Sequence, residues 1–147
     1  MGNNNAVQDA RLILQLDRLR EEGEMRRARR WWNDEFSPRT AGDYLKIEMA
    51  HGAQQNKWLR QVSTFWGMAA SFVLDGTLGE KAFLRPQFSS EMFLMFAKVQ
   101  PFLKQLRDRT NNPEFMANIE RLVANSKEAR DRLREASKRI NTRRKVA

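Results

Sequence analysis

Few residues in this chain are equipped for chemistry. Among 147 residues there is one histidine, His51, and no cysteine, so thiol catalysis, Cys/His dyads and zinc sites of two or more histidines have nothing to be built from. No P-loop, no Gly-x-Gly-x-x-Gly and no Gly-x-Ser-x-Gly elbow occurs, which leaves phosphate cradles and hydrolase nucleophiles without their usual supports. Glu48-Met49-Ala50-His51 has the Glu-x-x-His spacing that supplies ligands in di-iron bundles, but a full site needs a second such pair and hence a second histidine. His51 therefore reads as a polar residue at a helix end, where partial positive charge is favourable. No catalytic residue, metal set or cofactor is expected, and the chain reads as a non-enzyme.

What remains is charge, and its placement is informative. The net charge is +9, yet residues 1–36 carry seven Lys/Arg against seven Asp/Glu, 37–89 carry six against four, and 90–147 carry fourteen against seven. Within the last third, residues 126–147 hold nine basic and three acidic side chains, so +6 of the +9 lies in one terminal segment. Arg130, Arg134, Lys138, Arg139, Arg143, Arg144 and Lys145 are the residues expected to meet a partner there. Such a segment suits an acidic protein, a nucleic acid or an anionic surface, and charge alone does not choose among them. Its apolar side is alanine-rich and lacks Trp and Phe, which argues against a membrane face.

A second basic run, Arg26-Arg27-Ala28-Arg29-Arg30-Trp31-Trp32, has the arginines and aromatic rings of a nucleic-acid motif. Glu21, Glu22, Glu24, Asp34 and Glu35 flank it. Glu22 to Arg26 and Arg30 to Asp34 stand four apart, the helical ion-pair spacing, so a solvated, salt-bridged face with Trp32 buried is expected. Trp31 points elsewhere than Trp32 on a helix and is expected to contact a partner if exposed.

The elements that must position these residues are helical throughout, since no run alternates with period two between turn residues. The Asn3 to Asn5 cluster offers caps for a first helix over about 6–22 with Leu12, Leu16 and Leu19 on one face. A second covers about 24–36, with Met25, Ala28, Trp32 and Phe36 in register, and Ser37-Pro38 closes it. Asp43 is expected to cap a short helix to about Ala50, broken at His51-Gly52. Trp58, Val62, Phe65, Trp66, Ala69, Phe72 and Val73 give the strongest stripe, a central helix ending near Gly76.

Lys81 to Leu84 adds a turn, and Ser89 or Ser90 is expected to cap a long helix along Met92, Met95, Phe96, Val99, Leu103 and Leu106. The methionines and the phenylalanines at 93, 96 and 102 read as plain core, and Pro101 should kink or divide the helix near Val99. Asn112-Pro113-Glu114 reads as the next helix start, with Phe115, Ile119, Leu122 and Val123 as its stripe. A last helix from about Ser126 to Ile140 has only Ala129, Leu133, Ala136 and Ile140 on its apolar side. The longest apolar run, Phe65 to Leu74, is half the roughly 20 residues a membrane span needs. The opening residues lack the pattern of a signal peptide and of a myristoylation motif, so a cytoplasmic setting is expected.

Three segments, Trp58-Leu59-Arg60-Gln61-Val62, Trp66-Gly67-Met68-Ala69-Ala70-Ser71 and the string from Glu91 to Leu103, followed by Asn112-Pro113-Glu114-Phe115, resemble a group of short, helical bacterial proteins of unknown function. The resemblance runs from about Leu12 to Leu133. It implies a small helical cytosolic protein and carries no activity or site residue with it.

The expectation is an all-α, compact single-domain bundle of roughly five to seven helices, over 1–140, with a basic C-terminal helix and a basic, disordered tail at 141–147. Functionally it reads as a protein-interaction module or small subunit of a larger assembly, binding another protein or itself through Trp31 and the basic helix. The alternative is RNA, ribosome or DNA binding through that helix.

Overall fold

A computed structural model of the chain describes residues 2–146, with side chains described for 5–145. It is an all-α single domain. Helix α1 spans Gly2–Glu21 and α2 spans Gly23–Arg30, and the latter runs without a break into a π-helical turn, Trp31–Glu35. Then follow α3 (Ala41–Glu48), α4 (Gln54–Leu74), α5 (Glu80–Phe83), α6 (Pro86–Val99), a 3₁₀ turn (Gln100–Phe102), α7 (Leu103–Thr110), α8 (Ala117–Ala124) and α9 (Lys127–Val146). Helix α4 is the axis, packed between α2 and α8, while α9 lies along α6.

The apolar stripes account for the core. Leu59, Val62, Phe65, Trp66, Ala69 and Ala70 of α4 are buried, as are Phe88, Met92, Phe93, Met95, Phe96 and Val99 of α6. Ala129, Ala136 and Ile140 seat α9 against them. Gly76, with φ +86°, closes α4 in a conformation that disfavours side chains, and Pro101 divides α6 from α7 by a turn of 3₁₀ helix.

Several boundaries differ from the sequence reading, each for a local reason. Helix α1 already includes the Asn3 to Asn5 cluster, which therefore does not cap it. The cap of α3 is Thr40, whose Oγ1 accepts from the Asp43 amide at 3.1 Å while Asp43 Oδ2 accepts from the Arg39 amide at 2.9 Å. The α6 helix begins at Pro86 instead of Ser89 or Ser90, because proline in the first helical turn gives up no hydrogen bond. On α1, Leu16 is buried but Leu19 is 51% exposed. The inward position one residue on belongs to Arg20, whose guanidinium lies 5.3 Å from the ring centroids of both Trp66 and Phe88 and donates to the Phe88 carbonyl at 2.6 Å.

The helix expected at Asn112-Pro113 starts later, at Ala117. Asn112 Oδ1 accepts from the Glu114 amide at 3.1 Å, Arg107 Nε holds the Phe115 carbonyl at 3.0 Å, and Phe115 packs edge-on to Tyr44. These contacts fix residues 112–116 as a separate loop, whose last residue, Met116, has φ +55°.

The ion pairs expected along α2, Glu22 to Arg26 and Arg30 to Asp34, are absent among the described residues. Arg27 pairs with Glu24 at 2.8 Å, and Arg29 reaches across to Glu91 at 2.8 Å. Glu91 also accepts from Asn33 Nδ2 at 3.3 Å and Trp66 Nε1 at 3.0 Å. One carboxylate thus ties the π turn, α2, α4 and α6 together.

Candidate functional site

Trp31 is not at the surface. It is 4% exposed, stacked on Phe36 at 4.5 Å between ring centroids and 6.2 Å from Trp58. In a regular helix consecutive residues diverge by about 100°, which underlay the expectation of an exposed ring. The structure buries both tryptophans because the face that α2 and the π turn present to α4 and α6 is wide enough to take them, Trp32 meeting Trp31 edge-on at 6.0 Å. The proposed partner contact at Trp31 is therefore withdrawn.

Helix α9 owes its start to Ser126, whose Oγ accepts from the Ala129 amide at 3.1 Å. It continues helical to Val146, through most of the expected tail; Ala147 lies outside the described residues. Its cations fall into three groups by what they touch. Arg130 donates to the Ala124 carbonyl at 2.9 Å, at the end of α8. Arg134 and Lys127 share Asp131 at 2.7 and 2.9 Å, and Lys138 lies 3.7 Å from Glu135.

Arg132 and Arg144 hold the fold together. Arg132 donates to the Leu84 carbonyl and to the hydroxyls of Ser89 and Ser90, with its guanidinium 4.6 Å from the Phe93 ring centroid. Arg144 donates to the carbonyls of Pro38 at 2.9 Å and Lys98 at 3.3 Å. Arg139, Arg143 and Lys145 are exposed and make no ion pair or hydrogen bond among the described residues.

These three surround a cationic end that the sequence reading did not assemble. Arg39, in the loop before α3, donates to the Arg144 carbonyl at 3.5 Å, so its charge joins those of Arg143 and Arg144. Beneath them lies Lys98, 5% exposed, whose Nζ donates to the carbonyls of Trp32 and Phe36, the latter at 2.8 Å. These carbonyls belong to the π turn and its C-cap, so the ammonium satisfies acceptors that the helix end leaves open. A lysine three residues after Met95, in the otherwise apolar run from Met92 to Val99, was the available signal for it.

Burial draws the Lys98 ammonium down to about 8 from its ordinary 10.5; Arg143 and Arg144 on α9 act in the same direction, and Asp34 on the π turn opposes them. The folded protein thus releases this proton before the unfolded chain does. Between those two values the unfolded state binds more protons, so stability rises with pH. An increase of about 2 kcal/mol is expected between pH 8 and pH 10, at about 1.4 kcal/mol per unit. Denaturant unfolding across that range should show the slope, and Lys98→Met should flatten it. Above pH 10 Tyr44, whose ionisation is pushed up by burial and by Glu48, acts in the opposite sense.

Among the described residues no group of three or more acidic or histidine side chains stands close enough to share a metal ion, and no helix is long and apolar enough to cross a membrane. His51 sits exposed in the turn after α3.

Comparison with known proteins adds a family. A family described as a domain of unknown function (DUF4760) matches residues 5–126, which leaves all of α9 outside the match. No curated protein and no solved structure matches the chain.

Proposed function

The chain belongs to that DUF4760 family, and from this premise we propose that it is a non-enzymatic interaction module whose cationic end, formed by Arg139, Arg143 and Lys145 with Arg39 beside them, engages an acidic surface of another protein. One observation carries the reading. Of the nine basic side chains of α9, six are engaged by carboxylates, hydroxyls or carbonyls of the fold, and the three without a partner among the described residues lie within seven residues of one another. Charge left unneutralised and grouped at one end steers and orients an oppositely charged partner. A cytosolic setting fits a chain without cysteine.

A nucleic acid is the second candidate for the same end, through counterion release at phosphates. It is disfavoured because no Phe, Tyr or Trp side chain is exposed among the described residues, so none of these rings is available to stack on a base.

The test is affinity capture with the full chain beside the variant Arg139→Ser/Arg143→Ser/Lys145→Ser. An acidic protein should be retained by the parent and lost from the variant, with about tenfold weaker binding once isolated, since exposed pairs contribute about 0.2–1 kcal/mol each. Thermal stability should be little changed, because all three are exposed and make no ion pair or hydrogen bond among the described residues. Retention by both proteins overturns the reading. Recovery of nucleic acid, with affinity falling steeply as salt rises, moves the assignment to the second candidate.

A further inference from the structure

A cleft of about 400 Å³ lies between α3, α4 and the segment 112–119. Three polar groups lining this region have no partner among the described residues. Helix α8 starts at Ala117 with no side-chain cap, and the amides of Asn118 and Ile119 in its first turn donate to no other described residue. Ile119 is only 1% exposed, and amides in the first turn of a helix need an acceptor from outside it. Tyr44, also 1% exposed, lines the cleft from α3 and its hydroxyl makes no hydrogen bond with another described residue.

The backbone that leaves the helix start open is itself strained. Met116 occupies the left-handed region at φ +55°, where an unbranched side chain is disfavoured, and it stands where a Ser, Thr, Asp or Asn would cap the helix. Across the cleft, Arg60 of α4 anchors Nε on Asn56 Oδ1 at 3.1 Å and leaves the rest of its guanidinium free, and Glu48 of α3 borders the cleft. The other acid there, Glu114, is held by Arg121 at 3.1 Å.

We propose that this cleft binds a small α-amino or α-hydroxy carboxylic acid. Its carboxylate accepts from the Asn118 and Ile119 amides, supported by Arg60 and the Tyr44 hydroxyl. Its amino or hydroxyl group donates to Glu48. A helix N-terminus with free amides favours an anionic oxygen, and the Glu48 carboxylate bordering the same cleft disfavours a dianion such as phosphate. The rings of Tyr44 and Phe115 provide an apolar wall for the rest of the molecule. This inference is independent of the cationic end of α9.

Gly67 offers a way to close the cleft without touching the core. It lines the cleft from mid-α4, and a Cβ placed there meets nothing within 4 Å. Gly67→Leu therefore fills the space and raises helix propensity.

The experiment is calorimetric titration of the full chain at pH 7 with a matched series: leucine, its α-hydroxy acid, the corresponding unsubstituted carboxylate, and inorganic phosphate. Saturable one-to-one binding of the first two is expected, with the unsubstituted carboxylate about tenfold weaker and phosphate not binding. Tyr44→Phe, which preserves the ring packing, should weaken binding about tenfold, the usual effect of losing a hydrogen bond to a charged group. Gly67→Leu should abolish binding while its melting temperature stays at or above the parent's. Three results overturn the assignment: no saturable binding of any carboxylate, phosphate binding in their place, or carboxylate binding that survives both substitutions unchanged.

Discussion

Replacing Glu91 with alanine is expected to lower the unfolding free energy by about 3 kcal/mol, because one carboxylate serves three donors from separate elements. Arg29 Nε at 2.8 Å, Trp66 Nε1 at 3.0 Å and Asn33 Nδ2 at 3.3 Å all lose their acceptor together. Removing one member of a mostly buried ion pair leaves the other charge unneutralised in a poorly hydrated place, and that loss exceeds what the pair itself contributes. Arg29 has a further bond to the Arg20 carbonyl at 3.2 Å, which tethers its guanidinium near the site and limits its escape to water.

Urea unfolding of Glu91→Ala, Trp66→Phe and the double variant checks both the size and the cause. Trp66→Phe keeps most of the ring but removes the indole donor, so the double variant should lose less than the sum of the singles. Strict additivity would show that Glu91 does not hold Trp66, and a Glu91→Ala loss under about 1 kcal/mol would show that the hub is solvated.

The Trp31→Ala substitution distinguishes a core ring from a contact ring. A loss of about 3–5 kcal/mol is expected, as for other large buried aromatics truncated to alanine. For a chain of this size that corresponds to roughly 10 °C in melting temperature. The ring lies against Phe36 and Trp58 and edge-on to Trp32, with Tyr44 next in the series behind Phe36, so its removal opens a void with little freedom to close. Calorimetry of the purified variant reads the effect directly. If Trp31 were a partner contact, the melting temperature would stay within about a degree and only complex formation would suffer.

The effects expected at α9 are smaller for a stated reason. Arg139, Arg143 and Lys145 face water, where each charge contributes little to folding and acts mainly on encounter with a charged partner. Lys98 stands between the two cases, since its ammonium is enclosed yet bonded to two carbonyls of the π turn and its cap.

The all-α class, the central position of α4, the division at Pro101 and the burial of the Met/Phe stripe of α6 were legible in the residues. Each follows from a short-range rule: apolar spacing of three and four, the missing amide of proline, or the conformational freedom of glycine. The concentration of positive charge in the last helix is likewise a property of composition and order alone.

Only the tertiary structure decided which of those charges are available. Arg132 and Arg144 look the same in sequence as Arg139 and Arg143, yet the first two are drawn in by the Leu84, Pro38 and Lys98 carbonyls from elements up to about a hundred residues away. The same holds for Trp31, which helical spacing alone directs away from Trp32, and for the open start of α8, where Asn112 and Pro113 signalled a cap that Met116 occupies. Hydrophobic periodicity reports the side a helix turns inward, since burial depends on residue type. It does not report which distant carbonyl, ring or carboxylate will be waiting there, because that partner is chosen only when the helices pack.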